Sequence, residues 1–262
     1  MVRALTLRLG EGTQSMLLYL GGLSQLGWQA LVQGVRPPYD LFGLLRQIDL
    51  VGVRSLGVIG VAAVFTGLVL ALQTAYALAR FGAKAVSGMI VALAMVRELG
   101  PVLTALLVGG RVGSGITAEL GSMQVTEQID AMRAMGTSPV KKLVVPRVIA
   151  TMFALPILTL IADIVGIVGG MVIMNYEFGV EYHQYYNSVI TSLKLADLLS
   201  GLVKPVFFGT IIGLVGCYEG LKVTGGTAGL GRATTSTVVV SSVLVLVSTF
   251  FLTKFLWWLE GW

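Results

Sequence analysis

Cysteine, histidine and charge are all scarce in this 262-residue chain. Cys217 is the single cysteine, so no disulfide can close within the chain and no cysteine cluster can hold a metal. His183 is the single histidine, which excludes His-rich metal sites and gives no basis for a Ser-His-Asp triad. Charged residues make up 12% of the chain, about half their share in soluble domains. So few charges cannot cover a soluble surface, which excludes an ordinary cytosolic enzyme, a disordered chain and a nucleic-acid binder. No G-x-x-x-x-G-K-[ST] occurs, and Gly216–Lys222 (GCYEGLK) is not one. No H-E-x-x-H occurs either. The chain is therefore read as carrying no catalytic residue, metal or cofactor of its own. The N-terminus also lacks a signal-peptide pattern, since Arg3 and Arg8 precede a Gly-broken, half-polar stretch without a small-residue cleavage site.

Apolar residues are what the chain has in excess, at 55% before its 34 glycines are counted. A helix needs about 20 apolar residues to cross the hydrocarbon. Ser55–Ala79 has no charge, Ala85–Gly110 only Arg97 and Glu98, and Val148–Tyr176 only Asp163. Leu198–Tyr218 has only Lys204, and Ala233–Thr253 has none. These stretches predict five spans in an all-α integral membrane protein, read as a single domain over 1–262. Residues 1–54 form its N-terminal cytoplasmic segment and 55–262 its transmembrane bundle.

Met1–Arg54, Arg111–Arg147 and Glu219–Arg232 together carry twelve basic residues, whereas the intervening loops carry only Arg80, Lys84, Lys194 and Lys254. The basic side is expected in the cytoplasm, with the N-terminus inside and the C-terminus outside. Trp257, Trp258 and Trp262 would then form an aromatic belt at the outer interface. Met16–Val32 is apolar on one face but broken by Gly21, Gly22 and Gly27, which predicts a helix lying in the cytoplasmic interface. A sixth, poor span is the alternative. Gly57, Gly60, Gly166, Gly169, Gly170, Gly209 and Gly213 read as close helix-packing positions.

Two features point beyond packing. Thr117–Gly136 (TAELGSMQVTEQIDAMRAMG) predicts one amphipathic helix ending at Gly136, with Ala118, Gly121, Val125, Ile129 and Met132 on one side. Glu119, Thr126, Glu127, Asp130 and Arg133 fall on the other. That face is either a solvated surface or a docking helix for a cytoplasmic partner. The second feature is Arg97-Glu98 midway through the second span. Charges there are costly and face a cavity or a partner. Successive helical residues point about 100° apart, so the two are not expected to face one neighbour. Pro101 removes the hydrogen bond to the Arg97 carbonyl and should kink the helix. A cavity wall and a structural ion pair with another helix are both open readings.

The run Met95–Arg147 carries R-E-L-G-P, G-R-x-G-S and A-E-L-G-x-M-x-V-T-E-Q-I-D-A-M. It resembles the MlaE permease family, and the likeness extends over nearly the whole chain, including GGTAGLGRATTSTVV at Gly225–Val239. The resemblance implies the membrane subunit of an ABC-type transporter that moves phospholipid between the bacterial inner membrane and the periplasmic route to the outer membrane. It implies a second copy of the chain and a cytoplasmic ATPase dimer that binds ATP. It further implies a periplasmic hexameric MCE-domain ring and a small STAS-domain protein. A lipid pocket at the dimer axis would carry over to Leu70, Leu78, Phe81, Arg97, Glu98 and Leu99, with Lys204 near its mouth. Glu119, Glu127, Asp130 and Arg133 would face the ATPase. Asp130–Gly136 also echoes the E-A-A-x-x-x-G loop of importer permeases, although Asp130 replaces its Glu and Pro146 follows sooner. Two other classes remain: an ion-coupled secondary transporter using Glu98 and Asp163, and a non-transporting scaffold. Transport direction and headgroup preference are not legible.

Overall fold

The computed structural model describes residues 2–35, 37 and 41–259, and Trp262 lies outside them. In order, the helices are α1 (Val2–Gly34), α2 (Leu41–Val51), α3 (Leu56–Ala79), α4 (Ser87–Ala94), α5 (Gly100–Val108), α6 (Ser114–Val125), α7 (Gln128–Ala134), α8 (Val145–Phe178), α9 (Tyr182–Ser192), α10 (Leu195–Leu221) and α11 (Gly226–Leu259). No strand occurs among the described residues. Five stretches are long and apolar enough to cross a membrane: Phe42–Ala79, Ser87–Val125, Val140–Phe178, Leu195–Leu221 and Gly226–Leu259. Four of them contain an expected span whole, and Ser87–Val125 covers all but the first two residues of Ala85–Gly110.

The first begins earlier than its charge-free run, because α2 joins α3 through one tight turn at Val53–Ser55. α1 is longer than the expected interfacial helix and is not among the five. It packs on the same side as the 140–144 turn and the end of α10. There Tyr19 donates to Glu219 (2.8 Å) and meets Tyr218 edge-on. Burial and the Glu219 carboxylate push the Tyr19 hydroxyl above its ordinary range.

Small residues decide how closely the spans approach. α3 buries Ala63, Gly67, Ala71 and Ala75, one per turn, against α8. A Cβ on Gly67 would sit on the Gly166 carbonyl, and one on Gly170 would meet Ala71 and the Tyr185 hydroxyl. α10 lies on α8 through Gly209 and Gly213, against Thr151 and Val148. Gly57 and Gly60 differ from expectation, since a Cβ at either meets nothing within 4 Å. They lie on a face of α3 that turns away from the bundle. Thr117 ties α6, α10 and α11 together, bonded to the Gly216 carbonyl (3.0 Å) and the Thr237 hydroxyl (2.6 Å).

Candidate functional site

The second span is a straight run in sequence but not in helical geometry. Met95–Leu99 and Gly109–Gly113 are π-helical turns that separate α4, α5 and α6. The Gly100 amide bonds back to the Met95 carbonyl, five residues away. Pro101 immediately follows and offers no N–H to the Arg97 carbonyl. That carbonyl instead accepts the Lys204 ammonium at 2.7 Å. The proline defect is thus answered by a side chain from α10.

The same ammonium donates to Glu98 Oε1 at 2.6 Å, and Thr253 of α11 donates to that oxygen at 2.9 Å. Arg97 reaches Asp197 of α10, with Nε at 2.7 Å and Nη2 at 2.5 Å. Asp197 also accepts the Lys194 amide at 2.9 Å, capping the start of α10. Arg97 and Glu98 therefore do face one neighbouring helix, contrary to the expectation. They reach it two turns apart, because the Arg97 side chain is long and Asp197 and Lys204 are seven residues apart on α10. The four charges sum to zero. Lys204 is buried within the bundle, with 2% of its side chain exposed. Arg97 and Glu98 keep 40% of their side chains exposed, so each presents one side outward while its other side is paired.

Leu70 and Leu99 both pack on the apolar cluster around Met95, Met174 and Tyr185, and Leu99 directly follows Glu98 in the chain. Leu78 is half-buried just over two turns further along α3, about 12 Å from Leu70 along the axis. Phe81 lies beyond the end of α3 and is 80% exposed, apart from the others. Asp197 and Thr253 complete the network and were not singled out in the sequence. Asp197 lies just before one of the apolar runs and Thr253 ends another, where only a three-dimensional neighbour gives each its meaning. Asp163 of α8 is buried, and its Oδ1 has no hydrogen-bond partner among the described residues and presses on Gly100. A Cβ on Gly100 would overlap that oxygen, so the glycine after the π turn is fixed by α8.

The cytoplasmic helix expected over 117–136 is broken in two. α6 ends at Val125, Glu127 adopts a left-handed φ of 57°, and α7 runs only over Gln128–Ala134. The break divides the acidic face. Glu119 on α6 pairs with the buried Arg147 at 2.8 Å. Asp130 and Arg133 pair with each other at 2.7 Å, exposed on α7. Ile129 is the buried anchor of α7, and Val125 is exposed instead of buried. Gly136 does stop the helix, at φ 74°, with the Thr137 amide returning to the Met132 carbonyl at 3.0 Å.

Five apolar spans around a neutralised polar network, with a short amphipathic helix hung below the second span, define a polytopic membrane permease. Residues 44–255 match the family described as Permease MlaE. The chain belongs to the MlaE permease family. A probable ABC transporter permease protein of Rickettsia felis is 42% identical over 245 residues, 94% of this chain and 95% of the relative. The intermembrane phospholipid transport system permease protein MlaE of Haemophilus influenzae is 36% identical over 211 residues, 80% of this chain and 81% of the relative. The chloroplastic protein TRIGALACTOSYLDIACYLGLYCEROL 1 of Arabidopsis thaliana is 38% identical over 211 residues, 80% of this chain and 60% of that protein.

Proposed function

We propose that this permease is the membrane subunit of an ABC-type complex that moves phospholipids between the inner membrane and the periplasmic route to the outer membrane, and so maintains outer-membrane lipid asymmetry. The observation that carries the reading is the Arg97–Asp197 and Glu98–Lys204 network, half-exposed and followed in the chain by the apolar Leu99, which packs with Leu70 on one cluster. A phospholipid needs greasy walls for its tails and a polar contact for its head. The outward side of the Arg97 guanidinium suits a phosphate oxygen while Asp197 holds the inward side. Leu78 and Phe81 extend the apolar path toward the end of α3. Glu98 balances the local charge. The name of the Haemophilus influenzae relative supports phospholipid as cargo.

The chain has no phosphate-cradling loop, so ATP is hydrolysed by a separate ATPase dimer docked at α7. Two copies of the chain form the membrane unit, in the inner membrane, with the N-terminus cytoplasmic and the C-terminus periplasmic. A periplasmic hexameric MCE-domain protein and a small STAS-domain protein complete the assembly. Secondary transport loses support because Glu98 is held by Lys204 and Thr253 instead of standing free. Purification from native membranes tests the reading: an ABC ATPase and an MCE-domain protein are expected with the parent chain. Joint reversal of Glu127 and Asp130 to Lys should deplete the ATPase while the chain stays folded. Exposed pairs are individually worth roughly 0–1 kcal/mol, so both changes are needed. Undiminished ATPase in the double variant would show that α7 carries only a solvated face.

A further inference from the structure

A polar cleft opens on the basic-rich side of the first two spans. Its volume is about 250 Å³, and it lies between α2 and the 53–55 turn on one side and the 109–113 turn and α6 on the other. Arg54 and Arg111 line it together with the apolar Leu50, Val112 and Ile116. Arg54 stands just before the charge-free run from Ser55, and Arg111 just after the run that ends at Gly110. Both guanidiniums thus mark the membrane boundary on the basic-rich side.

The charges in the cleft are unequally matched. Arg111 Nη1 donates to the Ser55 hydroxyl at 2.7 Å, which fixes the guanidinium in place. No carboxylate pairs with Arg111 among the described residues. Among the described residues Arg54 pairs only with Asp49, at 3.7 Å, an exposed pair that contributes little. Glu119 also lines the cleft, but its carboxylate is held by Arg147. A net positive, hydrogen-bonding recess therefore faces the headgroup layer.

We infer that this cleft binds the phosphate of an anionic phospholipid headgroup from the leaflet on the basic side, between Arg54 and Arg111. Arginine matches phosphate oxygens in a bidentate way, and basic recesses between spans at this level take anionic lipid heads. The site is separate from the proposed transport path and stands on its own whatever the cargo is. Its role is to seat the first two spans against one leaflet.

Native mass spectrometry of the detergent-purified complex, with phosphatidylglycerol added, reads this directly, and differences between parent and variants isolate this cleft from any other lipid site. Phosphatidylglycerol should be retained more than phosphatidylcholine. Retention should fall about tenfold in Arg111→Gln, the loss of one charge-assisted contact. Arg111→Gln also frees Ser55 and risks misfolding, so Gly115→Phe provides a second probe. Gly115 lines the cleft and an added Cβ there meets nothing within 4 Å, so the ring fills the recess and leaves both arginines in place. It should lower retention equally. Unchanged phosphatidylglycerol retention in Gly115→Phe would overturn the site. Full displacement of the lipid by millimolar inorganic phosphate would also overturn it, marking a free-anion site.

Discussion

Lys204 is the residue on which the mid-membrane network turns. Its ammonium serves two acceptors, a carbonyl that Pro101 leaves without its N–H and the Glu98 carboxylate, which Thr253 also supports. Removing one member of a buried ion pair leaves its partner uncompensated, which costs more than removing both. Lys204→Met should lower stability by about 3 kcal/mol, at the lower end for buried pairs because Glu98 is partly exposed. The double change Lys204→Met with Glu98→Gln should cost less than the two single costs added, by about 1 kcal/mol or more. Equilibrium unfolding in mixed micelles measures this cycle, and additive losses would mean that the two side chains do not share a pair. Arg97 was legible as a charge needing an explanation, but its partner was not. Asp197 lies 100 residues away in sequence, and no local pattern links the two.

At the scale of elements, hydropathy located the spans because burial in hydrocarbon is a property of the stretch itself. The breaks within them were less legible. The π turn at 95–99 lies just before Pro101, where the sequence predicted a kink, but the one at 109–113 lies against α10 and α11, which no local pattern signals. The predicted single helix over 117–136 failed for a similar reason. Arg147 of α8 captures Glu119, Ile129 is drawn into the core, and the chain between them turns at Glu127. Glycine was half legible: Gly166 and Gly209 lie at helix crossings, while Gly57 and Gly60 do not. Gly67→Ala should cost about 2 kcal/mol through overpacking on the Gly166 carbonyl. Gly60→Ala, with open space around its Cβ, should be neutral or gain up to about 1 kcal/mol from helix propensity. Thermal unfolding of the two variants side by side checks this, and equal losses would mean that the α3–α8 crossing is not set by small residues.

For the whole molecule, the bundle places its polar features at two depths. The neutral Arg97–Asp197 and Glu98–Lys204 network lies mid-span, and the uncompensated Arg111 lies at the basic boundary. A cargo path needs the first arrangement, since a permanent charge inside the bilayer would hold an anionic lipid too tightly to release it. Photo-crosslinking residues at Leu70, Leu78 and Leu99, in the assembled complex, test the path most directly. Ile157 and Ile164, exposed on the third span, serve as bilayer-facing controls. Phospholipid crosslinks at the first three positions, well above those at the controls, are the result expected of a lipid path. Equal labelling at all five positions would mean that Leu70, Leu78 and Leu99 merely face the bilayer, and would contradict it.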